Sequence, residues 1–282
     1  MKQSIIQQNR LETKSRWKAK HHRSAKHRRE AKKTRWGAVA AGLLEVLFVP
    51  RCIACDVRLP PHELRGALPV WSRHFCDLCA GAVQEWEPPF CTRCGDVFSG
   101  AGPSHRCADC ARHPPSYGQL RAVAEYGGEM ATAIARFKYG PAPWMARPLG
   151  EMLAAVPQAS PVDWIVPVPL HPKRLRARGF NQSALLARHL SRRLGAPICW
   201  NALQRTSHSA APQAARTRNE RLQAMRGAFV GNARAQTRGG RVLLLDDVVT
   251  TGATVEAAAR ALLRQGEVRA VDVLCLARTG RD

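Results

Sequence analysis

Residues 241–255 read RVLLLDDVVTTGATV, and the order of residue types in this stretch decides the fold. Val242, Leu243, Leu244 and Leu245 make a continuous apolar run, the pattern of a strand covered on both faces. Two carboxylates, Asp246 and Asp247, follow it, and a Thr/Gly turn then leads into a helical stretch. That turn is predicted to present the backbone N–H groups of Thr251, Gly252, Ala253 and Thr254 at a helix N-terminus, where unpaired donors and the helix dipole receive a phosphate. Gly252 lets the backbone approach closely, and the hydroxyls of Thr250, Thr251 and Thr254 add donors. The paired carboxylates are acceptors suited to vicinal hydroxyls and, directly or through water, to Mg²⁺. Phosphate at one end and diol at the other describe a ribose phosphate. The plainer alternative is a helix cap next to a solvent-facing strand end. Two adjacent carboxylates repel each other, however, a cost that a purely structural strand end need not carry. The G-x-x-x-x-G-K of a nucleoside triphosphate loop and the G-x-G-x-x-G of a dinucleotide fold are both missing here.

Outward from this segment, β-rich runs alternate with helical stretches: RAVAEY at 121–126, EMATAIARFKYG at 129–140, WIVPVPL at 164–170 and a helix from about Gln182 to Leu194. Strands alternating with helices predict an α/β domain, residues 116–282, with a parallel sheet covered on both faces. After the strand that Pro167 and Pro169 terminate, Arg174, Arg176 and Arg178 fall in a predicted loop. A run of basic residues is ordinarily a solvated face, but beside a phosphate site it can offset the charge of a leaving group.

Residues 51–113 differ in kind, being rich in Pro, Gly, Cys and His with little periodicity, so a conventional apolar core is not expected there. Eight of the ten cysteines form four C-x-x-C pairs: Cys52/Cys55, Cys76/Cys79, Cys91/Cys94 and Cys107/Cys110. Two intervening residues let one tight turn offer both thiolates to a tetrahedral ion, so eight thiolates make two four-ligand sites, and the all-sulfur set favours zinc. Successive pairing fits the gaps in the sequence, and a cross-braced pairing is the alternative. Zinc closed by four thiolates has no open position for water, which makes both sites structural. His62, His74, His105 and His113 are then surface residues, and Cys199 and Cys275 packing residues.

The 282 residues carry 44 Lys+Arg against 21 Asp+Glu, a formal net charge of +23, which points to a polyanionic partner. Residues 1–35 supply a net +11 of this and are too polar to bury a face, so residues 1–36 read as a disordered tail. It is either a nucleic-acid arm or an extension without a role. Residues 37–50 follow as a short amphipathic lead-in helix that opens a 37–113 zinc-ribbon domain. No run approaches the ~20 apolar residues of a membrane span, Glu45 interrupting the longest. The basic leader is far too long for the n-region of a secretory signal, and paired cysteines suit a reducing compartment, so the cytoplasm is expected.

The apolar strand, acidic pair and Thr-Gly loop together resemble the 5-phosphoribosyl-1-pyrophosphate signature of the type I phosphoribosyltransferases. VPVPLHPKRLRARGFNQ at 166–182, FKYG at 137–140, LQRTSHSAAPQ followed by RLQAMRGAF, and the cysteine lead-in narrow the resemblance to the ComF family of competence-associated proteins. This family joins a zinc-ribbon domain to a phosphoribosyltransferase-like domain, and the likeness runs from about Leu43 to Ala277. One departure is Ala224, where the family has asparagine.

The resemblance implies binding of phosphoribosyl pyrophosphate with Mg²⁺ and transfer of phosphoribosyl to an unknown acceptor, in connection with DNA uptake. Asp246 and Asp247 would be the catalytic pair, residues 250–254 the phosphate anchor, and Arg174, Arg178 and Lys138 the pyrophosphate ligands, with the 205–221 region closing over the site. No base-binding hood is recognisable. The acceptor is therefore met by the zinc domain, is a macromolecule, or is no longer used. The competing reading is a non-catalytic single-stranded DNA binder or a scaffold for competence-machinery proteins, with Trp71, Phe75, Trp86, Phe90 and Phe98 as candidate stacking faces.

Overall fold

The computed structural model describes residues 50–60, 69–100, 102–140, 142–206, 225 and 227–280. The basic leader, the lead-in stretch 37–49, His62, Ala224 and most of the expected closing segment lie outside the described residues. From Arg51 onward the chain forms one compact unit.

Four strands, β1 (Leu120–Glu125), β2 (Trp164–Pro167), β5 (Arg241–Val249) and β6 (Ala270–Arg278), make a sheet in the order β1-β6-β5-β2. All its pairings are parallel. Two short strands, β3 (Leu203–Arg205) and β4 (Phe229–Gly231), pair antiparallel beside it. The helices are α1 (Asp77–Gly81), α2 (Ala108–Arg112), α3 (Gly128–Tyr139), α4 (Ala146–Ala155), α5 (Pro172–Arg178), α6 (Gln182–Leu194) and α7 (Ala253–Arg264).

The apolar run 242–245 explains the layering. Side chains alternate along a strand, so Leu243 and Leu245 join Leu274 and Leu276 in the core beneath α3, α4 and α6. Val242 and Leu244 join Val271, Val273 and Cys275 in a second core against Ala258, Ala259 and Leu262 of α7. All four β5 residues are fully buried, and Leu243→Ala is worth about 3 kcal/mol of stability.

The cysteine segment shares these cores. Ile53, Phe75 and Val83 pack into the α3/α4 side, and Trp86 into the α7 side. Its backbone also pairs with the sheet: Trp86 N–H donates to the Val123 carbonyl at 3.2 Å and Glu125 N–H to the Gln84 carbonyl at 2.9 Å, around an antiparallel bridge between Glu85 and Ala124. Phe98 stacks on His105 at 4.4 Å, and Phe75 and Trp86 are buried, so these aromatics pack the protein instead of offering faces to solvent.

One expectation is corrected. Arg174, Arg176 and Arg178 stand on α5 and not in a loop. His171 caps the helix by accepting from the Lys173 N–H, Pro172 sits in the first turn, and Gly179 at φ 79° ends it in the left-handed conformation. Cys199 and Cys275 are buried packing residues, as expected. No helix among the described residues is long and apolar enough to cross a membrane.

Candidate functional site

β2 stops at Pro167, opposite Leu245, so from Asp246 onward β5 has a strand neighbour only on the β6 side. The space left by β2 is a cleft of about 590 Å³ at the carboxyl ends of the strands, where open α/β sheets receive their ligands. Lys138, Arg174, Arg178, Asp246, Asp247, Thr250, Thr251, Ala253 and Thr254 all line it. Gly252 caps α7 at φ 80°, a left-handed conformation that a side chain strains. These residues, from three separate stretches of sequence, thus converge on one opening.

Asp247 is 9% exposed, and Lys138 from the last turn of α3 reaches its Oδ1 with Nζ at 3.0 Å. Asp246 has weaker support: its Oδ1 accepts from the Ser183 hydroxyl at 3.2 Å and from the Asp247 N–H at 2.9 Å. Burial pushes the Asp246 carboxyl up to about 7 and the Asp247 charge adds to the rise, against the opposing pull of Lys138 and of these two donors. A carboxyl held half-ionised near neutral pH, beside one already neutralised by lysine, suits a cation or a diol arriving from solvent. The donor set therefore fits Mg²⁺ held directly or through water.

On the facing wall, the Arg178 guanidinium lies 5.1 Å from the Tyr139 ring centroid and donates to Gln182 Oε1 at 3.2 Å. Gln182 Nε2 in turn donates to the Lys138 carbonyl at 3.3 Å, so two of the three cations the sequence suggested, Lys138 and Arg178, share one support. Arg205 completes this wall, and burial, together with the nearby Arg174 charge, lowers its pKa. Ser183 and Gln182 were not singled out from the sequence. The signal is local: Asn181 caps α6 by accepting from the Ala184 N–H, and the next two side chains fall in the first helical turn beside the cleft.

The cysteines gather into two clusters, Cys52/Cys55/Cys76/Cys79 and Cys91/Cys94/Cys107/Cys110, each with its sulfurs within 4.8 Å of one another. The successive pairing is therefore the one present. Tetrahedral zinc with bonds of about 2.3 Å needs sulfurs about 3.8 Å apart, and Cys55/Cys76 and Cys94/Cys107 stand at 3.7 and 3.9 Å. Burial opposes ionisation of Cys91, yet the backbone N–H groups of Cys107, Cys94 and Arg93 outweigh it and hold the thiol down at about 6, a thiolate suited to metal. Both clusters could hold zinc. None of the described histidines joins them: His74 pairs with Glu151 at 3.2 Å, His105 stacks on Phe98, and His113 stands 3.8 Å from Asp109.

Residues 181–282 match the family model described as phosphoribosyl transferase domain. Competence protein F of Haemophilus influenzae is 30% identical over 236 residues, covering 81% of this chain and 96% of that protein. DNA utilization protein YhgH of Escherichia coli K12 is 35% identical over 215 residues, covering 73% and 90%, and competence protein ComFC of Bacillus subtilis 28% over 240 residues, covering 81% and 95%. Fold and cleft define a phosphoribosyltransferase-like protein, a parallel sheet with an acidic pair and a Thr/Gly turn at its carboxyl end, preceded by two zinc-ribbon cysteine clusters. Within that class, the chain belongs to the competence protein F family.

Proposed function

We propose that this protein binds phosphoribosyl pyrophosphate with Mg²⁺ and transfers the phosphoribosyl group to an acceptor, in support of DNA uptake. The observation that carries this reading is the one cleft lined together by Asp246, Asp247, residues of the 250–254 turn and the cations Lys138, Arg174 and Arg178, with Lys138 paired to Asp247. The 5′-phosphate would take the N–H groups at the start of α7 and the threonine hydroxyls. The two carboxylates would hold the ribose hydroxyls and face the positive charge that develops at C1. When bound, Mg²⁺ supplies neutralising charge to the pyrophosphate. The C1–O bond breaks with its electron pair leaving on pyrophosphate, which Arg174 and Arg178 receive; the acceptor's lone pair closes the new bond to C1, and any proton it carries is released. The names of the relatives, competence protein F and DNA utilization protein, support the link to DNA. In this reading the 37–113 segment serves as a zinc-ribbon domain and 116–282 as the transferase core.

The test is calorimetric titration of phosphoribosyl pyrophosphate with Mg²⁺ into wild type and Asp246→Asn/Asp247→Asn. Binding by wild type that the double variant loses supports the reading. A folded, zinc-replete wild type that binds none sinks it.

A second reading, single-stranded nucleic-acid binding, is favoured by one surface. Trp200 is 52% exposed and the Arg188 guanidinium stands 5.7 Å from its ring centroid, with Arg192 and Arg193 also exposed on α6. An aromatic face among cations is what such ligands use. Oligonucleotide affinity that falls steeply with salt and is lost in Trp200→Ala would support it.

A further inference from the structure

The second cysteine cluster and the phosphate turn are joined through one short segment of chain. Cys110 ends the cluster within α2 and, a few residues on, Ser116 grips α7: its backbone N–H donates to Glu256 Oε2 at 2.8 Å and its hydroxyl to Glu256 Oε1 at 2.7 Å. Glu256 lies in the first turn of α7, and its own N–H donates to the Gly252 carbonyl at 2.9 Å. Tyr117, next in sequence, is buried, with its hydroxyl 3.8 Å from the point where a side chain on Gly252 would begin.

From the other side the same segment is fastened to the cluster. Arg93, between Cys91 and Cys94, donates to the Pro115 carbonyl at 3.2 Å, and its own carbonyl accepts from the Leu120 N–H at 2.8 Å. A second tie runs through Arg278, which is 1% exposed and donates to Asp96 Oδ1 at 3.4 Å. Asp96 follows the Cys91/Cys94 turn, its carbonyl accepting from the Cys91 N–H at 2.7 Å. Arg278 is paired across the sheet with Val249, the residue before the phosphate turn.

These contacts exceed what α7 needs to form. Arg260 already meets Glu256 at 2.7 Å as an ordinary i,i+4 partner. We propose that Ser116 and Tyr117 are positioning residues for the phosphate turn, and that through them and the Arg278–Asp96 tie the order of the second tetrathiolate sets the affinity for the 5′-phosphate. The proposal rests on the ribose-phosphate reading of the cleft.

The test uses the zinc-replete full-length protein. Ser116→Ala, Glu256→Gln and the double variant are titrated separately with ribose 5-phosphate and with magnesium pyrophosphate, alongside zinc content and melting temperature. Each single variant is expected to weaken ribose 5-phosphate about tenfold, the cost of a lost hydrogen bond to a charged group. The double variant should lose no more than the worse single one, with magnesium pyrophosphate affinity and zinc content unchanged. Wild-type affinity for ribose 5-phosphate in all three variants overturns the proposal and leaves the cleft reading intact; equal losses for both ligands signify general destabilisation and also overturn it. If wild type binds no ribose 5-phosphate, the phosphoribosyl pyrophosphate titration decides the cleft reading and hydrogen exchange decides the coupling. Chelating the zinc should then accelerate exchange at residues 250–256 and leave α6 protected, and unchanged exchange at 250–256 overturns the proposal.

Discussion

Lys138 Nζ stands 3.0 Å from Asp247 Oδ1 with both side chains largely buried, tying the last turn of α3 to the end of β5 across the floor of the cleft. Removing one member leaves the other largely buried and unpaired. Lys138→Met should therefore cost about 3 kcal/mol of stability, and Lys138→Met/Asp247→Asn should recover part of it. A double-mutant cycle by urea denaturation measures the coupling; additive losses would show that the pair holds nothing together.

Asp246 gives the protein a characteristic pH response. Its pKa rises from 3.8 in the unfolded chain to about 7 when folded, so the folded state binds the proton more tightly. This contribution to stability is complete below about pH 4 and is lost as pH climbs through about 7. Asp246→Asn should flatten the melting-temperature profile between pH 5 and 8 and raise it at the alkaline end. Equal profiles for wild type and variant would refute this.

Ligand binding should move the opposite way. A diol or Mg²⁺ is held by the carboxylate form, so the affinity for phosphoribosyl pyrophosphate should rise from pH 6 to 8 with a midpoint near that of Asp246. Calorimetry in buffers of different ionisation enthalpy would detect the released proton.

Gly252→Ala places a side chain where φ is 80°. Strain of about 1–2 kcal/mol is expected, together with weaker ribose 5-phosphate binding as the turn shifts, while magnesium pyrophosphate binding is retained. A variant that binds both ligands normally would show that the turn tolerates the change.

The cysteine clusters are separate, so metal analysis should find two zinc per chain. Cys55→Ser/Cys76→Ser should lower this to one, because none of its altered sulfurs belongs to the second set. Loss of both metals would mean that the clusters depend on each other.

Much of this arrangement was legible in the sequence because β5, the acidic pair and the α7 cap are local patterns: an unbroken apolar run, two carboxylates and a glycine in one short stretch. The α5 helix was less visible, since the prolines ahead of it read as termination while His171 and Gly179 supply its caps. Ser183 stands in the first turn of α6 that the Asn181 cap marks, but its bond to Asp246 depends on tertiary packing, which sequence spacing does not announce. The antiparallel bridge from Glu85 to Ala124 depends on contacts between distant segments and was equally silent.

That bridge bears on how one edge of the sheet is covered. β1 is one of the two edge strands of the four, and its free edge would be a row of unpaired amides and carbonyls able to template another chain. Residues 84–86 occupy part of that edge, and they lie between the two cysteine clusters. Metal loss would thus uncover an adhesive border on an otherwise finished sheet, and the demetallated protein should be lost to aggregation before its core has unfolded.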